Sequence, residues 1–543
     1  MDSCLQTIIQ SSLKWNSEMT ENTRSRKSVS NMLGSFLGIF GSRVAGLARD
    51  LAMTHYWGGS GAEQAAFHVA FSIPNLFRNL FGEGAFTAAF LPAVAGKLEK
   101  DGKESAWRLA ERVISLQIIA LAVIVALMSL ISGGIYLFMR CSDVRPHILL
   151  TFKIIPLLMP YALLICVAGS FASILNSLRV FALPAINPVI FNVVQIASIA
   201  LLYFTFGNTE PAALYLFCGS VLLAGVLQAL SLGIACRRHG FVFHFRPIWR
   251  DEEVKQVLRK FLPGTVGAGV NQINQLIDKW MVNWLGPLAV SGIEFSHRLI
   301  YLPVGLFGVA ISSVCLTDMS RAATRNDSAE LSESLDRALR MTLFLSIPCA
   351  VLLGVLAEPF VRMLFRHGAF NDDAVRSCVT ALMFYIPGIP AFCCAKVALT
   401  PHHANLDTAT PVRISIACVI LNFILNISLI WTLKQGGLAL STSICSWANV
   451  CALLILARKY LPEWKPANTV LHGIYIVIIS CIAGSCAFIA MRFIPFPDNL
   501  GITLDSAVRV MTGGLIGATV YFIVSLAAKR PELMDILAAV RRR

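Results

Sequence analysis

Runs of about twenty apolar residues, each long enough to cross roughly 30 Å of hydrocarbon as a helix, recur about fourteen times between Met32 and Ala528. Nothing else in the chain constrains its fold so tightly. A membrane-spanning β-strand needs only about ten residues, so runs of this length argue against a closed barrel. The chain reads as an all-α polytopic membrane protein. Its 56% hydrophobic and 14% charged residues lie outside the range of soluble domains. The expected spans are 32–56, 65–96, 107–139, 151–178, 183–206 and 212–236, then 254–285, 289–319, 333–357, 374–400, 410–433 and 435–457, then 467–493 and 505–528.

The net charge of +14 invites a nucleic-acid reading, but the cations sit in short loops on alternate sides of the spans. Arg24, Arg26 and Lys27 precede the first span, Lys97, Lys100 and Lys103 follow the second, and Arg237, Arg238, Arg246 and Arg250 follow the sixth. Arg321 and Arg325 follow the eighth, Arg458 and Lys459 the twelfth, and Arg541 to Arg543 end the chain. Simple alternation puts all of these on one side, so both termini are expected in the cytoplasm. Arg362 and Arg366 dissent, on the predicted outer side. Residues 1–31 read as a polar cytoplasmic extension without the basic-then-apolar order of a cleaved signal. The fifteen cysteines form no Cys-x-x-Cys pair and read as small packing residues.

An internal repeat organises the spans. Trp57 recurs as Trp284, Pro74 as Pro303, Leu91 as Leu316 and Pro184 as Pro411, at offsets of 227, 229, 225 and 227, and Asp50 recurs as Asp278 at 228. An even number of intervening spans makes the duplication parallel, with its axis along the membrane normal and a cavity expected between the copies. The reading is therefore an N-lobe at 32–240, a C-lobe at 251–460, two added helices at 465–530 and a basic cytoplasmic tail at 531–543. Pro74 with Gly82-Glu83-Gly84, Pro263 with Gly264, Gly267 and Gly269, and Pro303 interrupt corresponding spans, which points to a binding site or to ordinary kinks.

The first two spans carry Arg43, Arg49, Asp50, Arg78 and Glu83. A charge at mid-bilayer costs roughly 2.5–3.5 kcal/mol on the milder scale, so such residues normally face an interior pathway. The chain is accordingly read as a transporter. Arg43 and Asp50 share a helix face and Arg49 lies about 120° round from Arg43. Gly34, Gly38, Gly41 and Gly46 allow a bend that presents both arginines to one cavity. Arg78 follows Pro74 by about a turn and Arg298 precedes Pro303 by about a turn. Guanidinium is suited to phosphate because it donates two parallel hydrogen bonds and stays charged. Four of them converging neutralise a diphosphate, with Asp50, Glu83 and Asp278 balancing charge in the empty site. The plainer alternative is local pairing with carboxylates or snorkelling to an interface. Lys396, in an apolar tenth span, is a further candidate by cost, whereas His55, His68 and His297 read as packing. No nucleophile elbow, phosphate loop or zinc-helix motif appears, so an enzyme is not expected.

Ser42-Arg43 with Gly46-Leu47-Ala48-Arg49-Asp50, then Pro74-Asn75-Leu76-Phe77-Arg78 with Glu83-Gly84-Ala85-Phe86, resembles the start of the MurJ (MviN) lipid II flippases. Asn187-Pro188, the run from Leu302 to Ala310, and Asp407-Thr408 with Thr410-Pro411-Val412 continue the likeness over about residues 30–460. The resemblance implies about fourteen transmembrane helices, two parallel-duplicated six-helix lobes plus two C-terminal helices, in the multidrug/oligosaccharidyl-lipid/polysaccharide exporter superfamily. It implies movement of undecaprenyl-diphosphate-linked disaccharide-peptide from the cytoplasmic to the periplasmic leaflet of the bacterial inner membrane by alternating access. Other lipid-linked oligosaccharide flippases and multidrug or cation exporters of the superfamily are the alternative. By motif, the family's cavity arginines fall on Arg43, Arg49, Arg78 and Arg298, its supporting charges on Asp50, Glu83 and Lys396, and its polyprenyl-tail groove on residues 465–530. Asp278 and Asp407 match two sodium ligands of some relatives, whereas His403 and Phe423 stand where others are expected. The implied partners are lipid II, membrane lipids and the cell-wall synthesis machinery, for a monomer driven by sodium, protons or the membrane potential, with no cofactor and no nucleic acid.

Overall fold

In the computed structural model, the structure describes residues 38, 41–206, 212–248, 251–325, 327–493 and 501–541. The expected extension at 1–31 and the last two arginines lie outside the described residues. Every regular element among the described residues is helical. The first half comprises α1 (41–57), α2 (Ala62–Phe77), α3 (Ala85–Lys100), α4 (Gly102–Met139), α5 (Pro146–Ser177), α6 (Ala182–Phe206) and α7 (Ala212–Arg238). The second comprises α8 (Glu252–Asn283), α9 (Pro287–Pro303), α10 (Val309–Thr324), α11 (Ser328–Val355), α12 (Ala357–Phe365), α13 (Asp372–Tyr385), α14 (Ile389–Ala398), α15 (Thr400–Ala404), α16 (Ala409–Leu433) and α17 (Gln435–Ala457). Then come α18 (Pro466–Phe493), α19 (Ile502–Ala527) and α20 (Pro531–Arg541).

Eleven helical segments among the described residues are long and apolar enough to cross a membrane. The other three expected spans fall on α1, on α2 with α3, and on α8. Those helices hold the arginines and acids of the first half and the polar series Asn271, Gln272, Asn274, Gln275, Asp278 and Lys279. Low hydropathy and candidate chemistry coincide because charge tolerated in a span needs a wet or paired interior. Elsewhere the surface is apolar: Leu130, Phe204 and Trp431 point outward, as a hydrocarbon solvent requires. Buried polar side chains find partners across helices instead. Asn187 and Gln228 exchange hydrogen bonds between α6 and α7, and Gln117 of α4 donates to the Phe81 carbonyl at 2.8 Å.

Two π-helical turns sit at corresponding points of the repeat, Arg78–Glu83 after Pro74 and Val304–Gly308 after Pro303. A proline lacks the N–H its turn would donate, and the wider turn absorbs the defect. Each turn abuts a close helix approach. Gly169 of α5 lies against the Gly82 backbone, and a Cβ on Gly308 would meet the Cys393 Cα at 3.1 Å. The predicted tenth span is broken by a 3₁₀ turn at Ile386–Gly388, and the outer loop after the ninth contains the amphipathic nine-residue α12. The expected basic tail is itself helical, as α20.

The chain forms two compact units. The first takes the described parts of Met1–Ala52, Ile73–Phe138 and Phe152–Thr265. Within it the segment after α7 is strapped to α3 and α4 by Lys97 to Glu253, Arg112 to Asp251, and His244 to Glu111 at 2.8 Å. The second takes Met53–Ser72, Met139–Thr151 and Val266–Arg543. A core within it packs Met319, Leu335, Phe344, Val397, Trp464, Ile476 and Leu533, so that α20 and α18 close over α10, α11 and α14. The two stretches it draws from the first half of the chain are tied in by hydrogen bonds to backbone carbonyls. Ala369 N–H donates to the His55 carbonyl at 3.2 Å, and Arg145 donates to the Trp284 carbonyl at 2.6 Å.

Candidate functional site

In the first unit, α1 runs unbroken from 41 to 57 and gives its two arginines different surroundings. Arg49 donates to Asp50 Oδ1 through Nη2 at 2.8 Å and Nε at 3.1 Å, and its guanidinium stands 5.5 Å from the Phe191 ring centre. Asp50 is buried; Arg43 is exposed, and no described residue pairs with it. Neighbouring residues on a helix diverge by about 100°, so this adjacent pair forms only because the long arginine curls back. Arg78 opens the first π-helical turn and is half-buried. Glu83 closes the same turn; its side chain lies outside the described residues.

In the second unit, Arg298 stands on α9 one turn after Glu294, with its Nη2 3.6 Å from Glu294 Oε1. Lys279 of α8 approaches the other oxygen of the same carboxylate at 2.7 Å. One carboxylate thus stands between two cations, from α8 and α9. His297 packs its ring against Tyr301 and Tyr385, with centroids 5.0 and 5.3 Å away, which agrees with a packing role. Glu294 and Lys279 are functional residues absent from the candidates that the sequence singles out. The i,i+4 spacing from Glu294 to Arg298 was the available signal.

Asp278, one residue before Lys279, belongs to a different polar layer. Asn426 of α16 donates to its Oδ1 at 2.6 Å and Thr442 of α17 to its Oδ2 at 3.4 Å, while Ser441 donates to the Asn426 side-chain oxygen. Carboxylate, hydroxyl and amide oxygens are hard donors of the kind an alkali cation takes. Asp407 shares none of these partners. It accepts from Thr410 N–H, Lys459 Nζ and Tyr460 OH, each at 3.0 Å, at the start of α16. Among the described residues no group of three or more His, Cys, Asp or Glu is placed to hold a metal ion. Lys396 is exposed on the last turn of α14.

The Asp407 contacts have a measurable consequence. The Thr410 backbone N–H above all, then the Lys459 and Tyr460 side chains, hold its carboxyl well below the usual carboxylate range. A depressed folded-state pKa adds stability that is present above the unfolded value of about 3.9 and lost as pH falls below it. Asp407→Ala is expected to lower unfolding stability by about 1 kcal/mol at neutral pH, the usual worth of a helix cap. The gap between variant and parent narrows below about pH 4 in thermal melts of the detergent-solubilised protein. An unchanged gap across that range removes the carboxylate from the account.

The family described as lipid II flippase MurJ matches residues 55–497. The chain is 30% identical over 508 residues to the probable lipid II flippase MurJ of Rhizobium meliloti (strain 1021), covering 92% of this chain and 94% of that protein. It is 31% identical over 425 residues to the lipid II flippase MurJ of Burkholderia cenocepacia, covering 77% and 81%. Among solved structures it superposes on a lipid II flippase MurJ in an inward closed conformation with a TM-score of 0.75 and 25% identity, over 91% of this chain and 99% of that one. An inward-facing multidrug resistance MATE family transporter of the MOP superfamily shares the fold, at a TM-score of 0.60 and 14% identity over 78% of this chain and 94% of that one.

Proposed function

Because this chain belongs to the MurJ family of lipid II flippases, we propose that it moves lipid II from the cytoplasmic to the periplasmic leaflet by engaging the diphosphate with Arg43, Arg49, Arg78 and Arg298. Membership makes it a membrane transporter rather than a member of a catalytic family. The observation that supports the binding set best is the Lys279, Glu294, Arg298 cluster, two cations on one carboxylate within the spans. Guanidinium and ammonium groups gathered on one carboxylate within the spans are donors of the kind a diphosphate takes. The exposed Arg43 adds a further guanidinium.

In this reading the diphosphate offsets repulsion among the arginines, Asp50 and Glu83 balance them when substrate is absent, and Lys396 adds a further cation. The prenyl tail stays in lipid along α18 and α19. Alternating access then requires the contacts of 53–72 and 139–151 within the second unit to break and reform. A potential of 100 mV supplies about 2.3 kcal/mol per charge carried fully across, sufficient to bias such a cycle. A sodium ion or proton that couples to it is held at Asp278 beside the Thr442 hydroxyl, while Asp407, already matched by Lys459, caps α16. The protein acts as a monomer of the bacterial inner membrane with both termini in the cytoplasm, and it hands lipid II to the cell-wall synthesis machinery.

Depletion of the protein in a strain that depends on it is expected to trap lipid II on the cytoplasmic leaflet, read by its protection from an externally added modifying enzyme. Precursor that remains reachable from outside at the parental level overturns the reading. The rival exporter of drugs or cations would need acids and aromatics in excess around its substrate. Its depletion would leave the precursor distribution untouched.

A further inference from the structure

The outer ends of the added helices carry charge that the loop-charge pattern does not explain. α11 begins next to the Arg321 and Arg325 loop, so its far end, at Val355, belongs to the opposite membrane face. That end meets α12, the last turn of α18 and the first turns of α19 around a cavity of about 430 Å³. Its lining includes Arg362, Arg492 and Arg509, the acids Glu358 and Asp505, and the apolar Phe488. The volume is in the range of small-ligand sites.

Among the lining residues three cations stand against two acids, and the cations are held differently. Arg362 is fixed by Glu358 at 3.0 Å and by Asp372 at 2.6 Å. Arg509 is fixed through Nε by both oxygens of Asp505, at 2.9 and 3.0 Å. Arg492 is exposed, and no described carboxylate pairs with it. Two oriented guanidinium groups and one cation that no described carboxylate meets make a seat for an anion with several acceptor oxygens, which is the chemistry of phosphate. The apolar wall narrows the choice. Phe488 and Met511 turn outward on α18 and α19 toward the hydrocarbon, so the anion that fits carries acyl chains beside its charge.

We propose that this pocket seats the phosphate of an anionic glycerophospholipid in the outer leaflet, with its chains lying against α18 and α19. The site shares no residue with the arginines assigned to lipid II, and it is tested without transport. The intact purified protein is titrated with phosphatidylglycerol, phosphatidylcholine, undecaprenyl phosphate and soluble glycerol 3-phosphate, and retained lipid is read by native mass spectrometry. The expected result is retention of phosphatidylglycerol over phosphatidylcholine, weakened about tenfold in Arg492→Gln and unchanged in a distant exposed control, Arg237→Gln. Glu358→Gln is expected to tighten retention, a gain that misfolding does not produce. Equal retention of phosphatidylcholine, or no loss in Arg492→Gln, overturns the proposal. Competition by glycerol 3-phosphate at equal concentration overturns the lipid source, and preferred retention of undecaprenyl phosphate overturns the glycerophospholipid.

Discussion

Replacing Arg298 with glutamate abolishes lipid II export while leaving the protein inserted and folded. The guanidinium lies 3.6 Å from Glu294 across one helical turn, and its side chain keeps about a third of its exposure. The substitution changes the sum of residues 279, 294 and 298 from +1 to −1, since one cation of two becomes a second acid beside one. Two carboxylates four residues apart repel each other, and together they repel a diphosphate. Loss of one charge-assisted hydrogen bond is worth roughly 1.5–3 kcal/mol, so Arg298→Ala alone is expected to weaken substrate engagement about 10- to 100-fold. Arg298→Lys falls between, because the point charge survives and the two-pronged geometry does not. Complementation of a depletion strain, with leaflet-resolved assay of lipid II and membrane abundance measured in parallel, checks the series. Growth at the parental rate with Arg298→Glu at normal abundance removes this residue from the substrate path.

How the chain advertises such residues follows from the solvent it folds in. The apolar spans α4 to α7, α11 and α16 to α19 were legible because lipid demands about twenty apolar residues per crossing. The interruptions at Pro74 and Pro303 were legible because proline removes a donor, although a wider helical turn rather than a plain kink is what each produces. Arg49 with Asp50 and Arg298 with Glu294 mark the point beyond which sequence pattern does not reach. Cost alone flagged the cations, but which acid each meets depends on side-chain reach and, for Lys279, on α8 packing against α9. α12 escaped notice because nine amphipathic residues fall below the length at which hydropathy speaks. Least legible was the membership of 53–72 and 139–151 in the second unit. A sequence repeat divides a chain in order, whereas those stretches are recruited by carbonyls, as at His55, Asn283 and Trp284, and any residue type supplies a carbonyl.

That recruitment makes Gly368 the position where a single methyl-sized change has the next largest effect. Its φ of +56° lies in the left-handed region, and a Cβ placed there would stand 2.5 Å from the His55 carbonyl oxygen and 2.6 Å from His55 Nδ1. The opposing strand of chain is equally intolerant, since Gly58 has φ +72° and a Cβ on it would meet the Ala369 carbonyl carbon at 2.8 Å. Both glycines exist so that two backbones approach closely enough for Ala369 N–H to reach His55 at 3.2 Å. A β-branched side chain adds about 1–3 kcal/mol of backbone strain and forces the pair apart, forfeiting about another 1 kcal/mol with the hydrogen bond. Gly368→Val is therefore expected to cost about 2–4 kcal/mol locally, with Gly368→Ala costing less because its Cβ presses on the His55 carbonyl without two γ-methyl groups beyond it. Hydrogen exchange should quicken at 54–60 and 367–372 while the core around Leu335 and Trp464 keeps its protection. Export should fall with it if closure of this contact is a step of the cycle. Parental exchange at 54–60 in Gly368→Val would mean that the contact is not what holds the end of α1, and the gating role assigned to it would have to move elsewhere.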